Sequence, residues 1–460
     1  MPTGSHQAPI LSRDPGEQLR SLWRTLAPQR WPLDTALLPA ETLLVGGAVR
    51  DALLGRLRER PDLDLVVEGD AIALTRSLAR RCGGSCVVLD AERSIARLVV
   101  RGWSFDLARR MGASTVEDLA RRDYSINAIA LPLGTLALAA DPMATADWSG
   151  PLDPAGGLAD LQAGRMRALG ESNLLEDPLR LLRGVRLACE LGFTLEPRTL
   201  AWIRTHHRRL EAVAGERVLA ELERLAAAPN GAEGLGLALE LGLLEGWCTD
   251  GGAGEQESAL RRLRPLTPER ARQCGLSAAE GRWALPLARL AAVLTAGALE
   301  RLRGSRRLQQ RCRRLRHWLE RLEADQATPA RDGTAAGALS LAGLPEMERL
   351  TLQREMEEDL PALALHLPPG SARGELERWR DPADPLFHPR PPLDGGRLQQ
   401  ELGLEPGQTL GLLLAHLTRE RAFGRLADPD ATDQALDMAR AWLAIRSADA
   451  ADRGERGRAT

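Results

Sequence analysis

The stretch from Leu43 to Val67 constrains this chain more than any other. It reads Leu-Leu-Val-Gly-Gly-Ala-Val-Arg-Asp-Ala-Leu-Leu-Gly-Arg, then a short polar break, then Pro-Asp-Leu-Asp-Leu-Val-Val. Leu43 to Val45 predicts a buried strand, Gly46-Gly47 a turn, Arg50 to Leu57 a short helix, and Leu63 to Val67 a second strand. Asp62 and Asp64 stand two apart at the start of that strand, so a side-chain period of two sends them to one face. Two carboxylates on one face, beside a Gly-Gly turn with bare backbone N–H groups, suit a divalent cation and a triphosphate. Glycine at 46 and 47 lets a phosphate approach the backbone, and Arg50 can reach the same oxygens.

Three further clusters carry chemistry. Trp103-Ser-Phe-Asp-Leu offers Asp106 as a third carboxylate from a neighbouring strand. Such a trio can bind a triphosphate through metal, activate an attacking hydroxyl and offset charge on a leaving pyrophosphate. In Arg121-Arg122-Asp123-Tyr-Ser-Ile-Asn127, the arginines suit phosphate and Asp123 can accept from ribose hydroxyls. In Glu176-Asp177-Pro-Leu-Arg180, Asp177 and Arg180 are helical neighbours, with Arg183 and Arg186 continuing a polar stripe. A carboxylate acceptor beside a guanidinium donor can hydrogen-bond a base edge as a paired base would. Asp177 before Pro178 is also a good helix N-cap, and one oxygen suffices for that role.

At 460 residues the chain implies two to four domains. Net charge is -2, so nucleic-acid binding must come from local patches rather than from the whole surface. There is no lysine, and all 61 basic residues are arginine, a planar donor matched to phosphate. Arg301 to Arg316 holds eight arginines; Arg306, Arg307, Arg313 and Arg314 are the candidate RNA contacts on this helix. His206 and His207 read as helix surface. The six cysteines, at 82, 86, 189, 248, 274 and 312, form no zinc set and read as free thiols of a reducing cytosol. No apolar run reaches the ~18 residues of a membrane span and no signal pattern opens the chain, which gives a cytoplasmic expectation with no membrane partner.

Strand and helix signals alternate up to about residue 165, whereas beyond it apolar residues recur at three and four. The expected architecture is an α+β head followed by an all-helical remainder. Loops are expected at 251–254, 328–337 and 368–392.

These residues together resemble the class II tRNA nucleotidyltransferases, the CCA-adding enzymes and their relatives in the polymerase-β superfamily. Five blocks appear in order: Gly46-Gly47…Arg50-Asp51…Asp62-x-Asp64; Arg121-Arg122-Asp123…Asn127-Ala128; Asp153-Pro-Ala-Gly156-Gly157-Leu-Ala-Asp160-Leu161; Glu176-Asp177-x-x-Arg180; and Glu216-Arg217-Val218 with Glu221. The resemblance implies a polymerase-β-like head in a seahorse-shaped enzyme. Its divisions are an N-terminal segment (1–30), head (31–165), helical neck reading the base (166–230), body (231–340), tRNA-contacting tail (341–447) and disordered end (448–460). It implies Mg²⁺ on Asp62 and Asp64 with Asp106 as third carboxylate, triphosphate on Gly46, Gly47 and Arg50, and phosphate and ribose on Arg122 and Asp123 beside Asn127. Asp177 and Arg180, supported by Arg183 and Arg186, would select cytosine and adenine. The substrates implied are tRNA lacking its 3′ end, with CTP and, in the full reaction, ATP.

One departure bears on specificity. Family members that add all three nucleotides carry a flexible loop between the third carboxylate and the Arg-Arg-Asp block, whereas here that segment is only Leu107 to Ala120. The resemblance therefore favours CC addition over full CCA addition, and implies a separate A-adding enzyme acting on the same tRNA. The remaining alternatives are a poly(A) polymerase, whose basic stretch before the third carboxylate is missing at Arg93 to Trp103, and a catalytically inactive tRNA-binding relative. The sequence does not fix the oligomeric state.

Overall fold

A computed structural model describes residues 15–133, 150–247, 253–327, 339, 341, 343–426 and 432–456. The chain divides into two compact units, 1–221 with 237–246, and 222–236 with 247–460.

The first unit is built on a six-stranded mixed sheet. After α1 (Pro15–Leu26) come β1 (Leu43–Val45), α2 (Gly47–Leu53), β2 (Leu63–Val67), α3 (Ala71–Cys82), β3 (Ser85–Asp90), β4 (Ile95–Val100), β5 (Trp103–Arg109), α4 (Thr115–Ala120) and β6 (Ala130–Pro132). The strand order is β3-β4-β5-β2-β1-β6. Only β2 and β5 run parallel, and the other four pairings are antiparallel. β1 is buried along its whole length, as its unbroken Leu-Leu-Val reading requires. Asp70 caps α3 by accepting from the backbone of Ile72 and Ala73, and Gly83 ends it in the left-handed conformation. α2 differs: it starts at Gly47, directly after Gly46 (φ 77), and Gly55 (φ 66) closes the following turn, three residues nearer the strand than the Arg50 to Leu57 expectation.

Beyond the head come α5 (Gly157–Gln162), β7 (Arg165–Met166), α6 (Glu171–Glu176), α7 (Leu179–Leu191), β8 (Thr194–Leu195), α8 (Pro197–His206), α9 (Gly215–Ala227) and α10 (Gly231–Glu240). β7 and β8 form a two-stranded parallel pair too short for periodicity to detect. Asp153 accepts from the Gly157 and Leu158 amides at 2.6 and 2.9 Å, and buried Asp160 takes Ser125 Oγ, Arg165 Nε and Arg167 Nε. The third sequence block is therefore a strut that fixes the chain around Ser125.

The second unit holds α11 (Ala253–Leu263), α12 (Pro268–Gln273), α13 (Ala278–Val293), α14 (Ala296–Arg301), α15 (Arg306–Ala327), α16 (Glu346–Met356), α17 (Leu360–Ala364), α18 (Pro369–Trp379), α19 (Gly395–Leu402), α20 (Gln408–Ala422) and α21 (Thr432–Arg456). Arg289, 2% exposed, sits inside it and donates to the carbonyls of Leu266, Ala226, Ala228 and Pro229, closing helix and turn ends with one side chain. A separate apolar cluster around Leu413, Leu417 and Leu436 joins α19, α20 and α21.

Three expectations are corrected here, the first being the 251–254 loop, because α11 already begins at Ala253. The 368–392 segment is not all loop, because Pro369 at a helix start opens α18 over eleven residues. Nor is the chain end irregular from 448, because α21 continues to Arg456 through a run rich in alanine, aspartate and arginine. Residues 328–337, Cys248 and all but four residues of the expected frayed start at 1–18 lie outside the described residues.

Candidate active site

The sheet register brings the carboxylates together. Asp64 on β2 is the parallel partner of Asp106 on β5, and Arg97 on β4 is the antiparallel partner of Asp106. Burial pushes the Asp64 carboxyl up to about 6; Arg122 and Arg183 pull it down, while Asp106 and Asp62 reinforce the rise. Arg97 Nε and Nη2 grip both oxygens of Asp106 at 2.7 and 2.8 Å. Gly46 lies against the acidic row: a Cβ there would stand 2.7 Å from Asp64 Oδ2, and its φ of +77° is left-handed. Only glycine meets both demands.

A polar cavity of about 250 Å³ opens beside this row, lined by Gly46, Gly47, Asp64, Arg122, Asp123, Asn127, Asp177, Leu179, Arg180, Arg183 and Arg217. Most of the sequence candidates thus converge on one space. Buried Asp123 Oδ1 accepts from Tyr124 N at 2.8 Å and Asn127 Nδ2 at 3.0 Å, and Oδ2 stands 2.9 Å from Arg183 Nε. Burial alone would raise its pKa, but Arg183, the Asn127 amide and the Tyr124 N–H hold it below the usual carboxylate range. Arg122 lines the cavity, is loosely tied to Asp118 at 3.5 Å, and its buried Nε has no hydrogen-bond partner.

At the neck end, α7 begins at Leu179 with Pro178, not Asp177, in the N-cap position; Asp177 Oδ1 still accepts from Leu179 N at 3.3 Å, while Oδ2 takes Arg217 Nη2 at 2.7 Å. Arg180 donates Nη1 to the Asn173 carbonyl at 2.7 Å and to the Arg121 carbonyl at 3.2 Å. Its own carbonyl accepts from Tyr124 Oη at 2.7 Å. Base-edge candidates and ribose candidate are therefore joined through Tyr124.

Several candidates sit elsewhere. Arg50 is 6% exposed, donating to Asn127 Oδ1 at 2.8 Å and to Asp51 at 2.9 Å; it positions Asn127 and does not line the cavity. Arg186 is likewise buried, paired with Glu221 and Glu190, so the polar stripe of α7 turns inward after Arg183. Glu221 explains part of the fifth block: it neutralises Arg186. On α15, Arg314 and Arg311 both pair with Asp359, a fully buried carboxylate, so Arg314 is structural. Arg307 and Arg313 stay exposed in long contacts with Glu358 and Glu300, and Arg306 is exposed. His206 and His207 are half-buried against Glu171 and Glu245 rather than free on a helix face. Cys82, Cys86, Cys274 and Cys312 are free thiols.

Sequence reasoning assigned no role to Arg97, Asp118, Tyr124 or Arg217. Of these, Arg217 had a signal, its place in the fifth block.

The fit to a metal follows from the donors. Asp62, Asp64 and Asp106 offer oxygen only, the set that suits a hard divalent cation, and the buried Asp64 carboxyl lacks a direct cationic partner at bonding distance among the ion pairs of the described residues. Among those residues no three acidic, histidine or cysteine side chains are grouped tightly enough to enclose a metal ion. Asp106 is held by Arg97 in this arrangement, and what fits a divalent metal is the oxygen-only donor chemistry of the row. No described helix is long and apolar enough to cross a membrane.

Comparison with known proteins identifies the family. Residues 42–167 match the poly A polymerase head domain, and residues 192–248 match the probable RNA and SrmB-binding site of polymerase A. A CC-adding tRNA nucleotidyltransferase of Synechocystis is 32% identical over 429 residues, covering 87% of this chain and 94% of the relative. An A-adding tRNA nucleotidyltransferase of Deinococcus radiodurans is 38% identical over 45% of each chain. The Thermotoga maritima CCA-adding enzyme complexed with tRNA shares the fold, with a TM-score of 0.65 at 20% identity over 92% of this chain and 99% of that one. A polymerase-type head with its acidic row, continuous with a helical remainder and alignable almost end to end with such a relative, places this chain in the tRNA nucleotidyltransferase family of CC-, A- and CCA-adding enzymes.

Proposed function

We propose that this enzyme adds two cytidines, and no adenosine, to tRNA lacking its 3′ end. One observation carries the choice. β5 passes into α4 through only Arg110 to Ser114, and that turn is tied to the first turn of α4. Met111 N donates to Asp118 Oδ1, Ala113 N to Glu117 Oε2, and Ser114 Oγ accepts from Glu117 N. Full CCA-adding relatives resemble this chain but keep a flexible loop at that point, which helps the site change from CTP to ATP. A capped five-residue turn has no length to do so. The near-full-length CC-adding relative supports the same reading, and an A-adding enzyme of the kind found in Deinococcus would complete the end.

The chain's residues divide the work. Arg122, on the cavity wall, and the Gly46-Gly47 backbone hold the triphosphate; Asp123, fixed by Asn127 and Arg183, accepts from ribose. Asp177 accepts from the cytosine amino group while Arg180 donates to the ring acceptors. Mg²⁺ on Asp62 and Asp64, with Asp106, would lower the pKa of the RNA 3′-hydroxyl and offset charge on pyrophosphate. The hydroxyl oxygen bonds to the α-phosphorus as the bond to pyrophosphate breaks. No nucleic-acid template is copied. Exposed Arg306, Arg307 and Arg313 are the α15 residues left to meet RNA phosphates.

Sizing the product on tRNA lacking its 3′ end, with CTP, ATP or both, tests this. Arrest after two cytidines with both nucleotides present is expected. A three-nucleotide extension refutes the CC-only reading, and a long ATP-dependent ladder makes the enzyme a poly(A) polymerase.

A further inference from the structure

We infer that Arg217 is an internal competitor for Asp177, so that an incoming base must displace a guanidinium before its edge is read. This rests on Asp177 being the base-edge acceptor.

Arg217 Nη2 donates to Asp177 Oδ2 at 2.7 Å, on the oxygen not used by the Leu179 amide. Both residues line the nucleotide cavity, and both also line a second cavity of about 490 Å³ with Leu89, Arg93, Pro178 and Val213. The pair is the wall between the two spaces. The second cavity gives the guanidinium somewhere to go without disturbing a helix.

The strength of the contact permits displacement. The Arg217 side chain is 54% exposed and that of Asp177 28%, so their attraction is screened by water. Contrast Arg186 and Glu221, 7% and 5% exposed, which are locked. Two arginine–carboxylate pairs that each use a residue of the fifth block therefore have opposite characters, one fixed and one movable.

Base chemistry then gives the competitor a direction. Cytosine brings an amino group that replaces the Arg217 N–H on Oδ2, leaving the carboxylate satisfied. Uracil brings a carbonyl oxygen, which cannot replace it and can instead accept from Arg217 where it stands. Arg217 thus weakens cytosine, which must evict it, and assists uracil, which need not. It narrows the preference that Asp177 alone would show, and it keeps a carboxylate from standing unpaired in the nucleotide-free enzyme.

The test is the ratio of CTP to UTP affinities of the full chain, measured by equilibrium binding with wild type, Arg217→Met, Arg217→Lys and Asp177→Ala. Using a ratio cancels the effect of the lost charge on the triphosphate. Arg217→Met is expected to raise the ratio roughly two- to fivefold, the range of a part-exposed ion pair, and Arg217→Lys to restore it most of the way. A ratio unchanged or lowered in Arg217→Met overturns the competitor role, since an arginine that merely orients Asp177 predicts a fall. Asp177→Ala separates the two layers: it must collapse the wild-type ratio, and if it does not, the base-reading assignment itself fails.

Discussion

Gly184→Ala tests how the neck holds the head. Gly184 is buried in α7, and a Cβ there would stand 2.0 Å from Tyr124 Oη and 2.7 Å from Cζ. Tyr124 is fully buried between Asp123 and Ser125, and its hydroxyl donates to the Arg180 carbonyl. The ring cannot yield without breaking that bond. Overpacking contributes about 1–3 kcal/mol and the lost hydrogen bond about 1, while alanine's better helix propensity returns about 1, for a net destabilisation of roughly 2 kcal/mol. In a unit of this size that is roughly a 4–8 °C fall in melting temperature. Tyr124→Phe removes the atom that clashes most, so the double variant should be less destabilised than the sum of the singles by at least about 1 kcal/mol. Thermal unfolding of the four proteins measures the coupling, and CTP affinity should fall in Gly184→Ala because Asp123 and Arg180 flank the displaced ring. Additivity within about 0.5 kcal/mol would refute the reasoning.

Gly46→Ala should cost activity more than stability. The methyl meets the far end of the Asp64 side chain and forces a left-handed backbone, so nucleotidyl transfer should drop by at least about tenfold while the melting temperature moves little; a fully active variant would show that the turn has slack. Stability of the helical unit should fall with pH through one histidine. Burial, followed by Arg262, lowers the His366 pKa to about 4. Because that folded value lies below the unfolded one, the unfolded chain binds the extra proton first. The stabilisation is therefore present above about 6.5 and lost as pH falls toward 4, about 2 kcal/mol between pH 7 and 5. Denaturant titrations of wild type and His366→Leu at both pH values check it, with the difference in pH sensitivity as the readout; equal sensitivity would contradict it.

Local patterns made the head legible. Leu-Leu-Val, Gly-Gly and Asp-x-Asp each point to one local structure. The cavity residues could be gathered because they fall in short blocks whose chemistry is the same whatever lies around them. What could not be read is which side of a buried helix an arginine serves. Arg183 and Arg186 are one turn apart on α7, yet Asp123 draws the first to the cavity and Glu221 draws the second into the core. Arg50 was drawn inward likewise by Asn127, 77 positions away. Arg314 could not be distinguished from Arg306 without knowing that Asp359 lies buried against it. In a chain whose only cationic side chains besides histidine are arginines, the partner's location decides the role, and that location is a tertiary fact. Arg97 escaped notice for the same reason, since only strand register sets it opposite Asp106.

The account rests on the acidic row doing the chemistry, and one comparison addresses it directly. Wild type and Asp64→Asn would be given labelled CTP, Mg²⁺ and tRNA lacking its 3′ end, with CTP binding measured alongside. Transfer should fall by about 100-fold or more while CTP still binds, more weakly, because the ribose and base contacts and the direct protein contacts to the triphosphate lie on other residues. Asp64→Asn retaining transfer within about tenfold of wild type would mean that the buried carboxylate between Gly46 and Asp106 is structural, and that the reaction centre lies elsewhere.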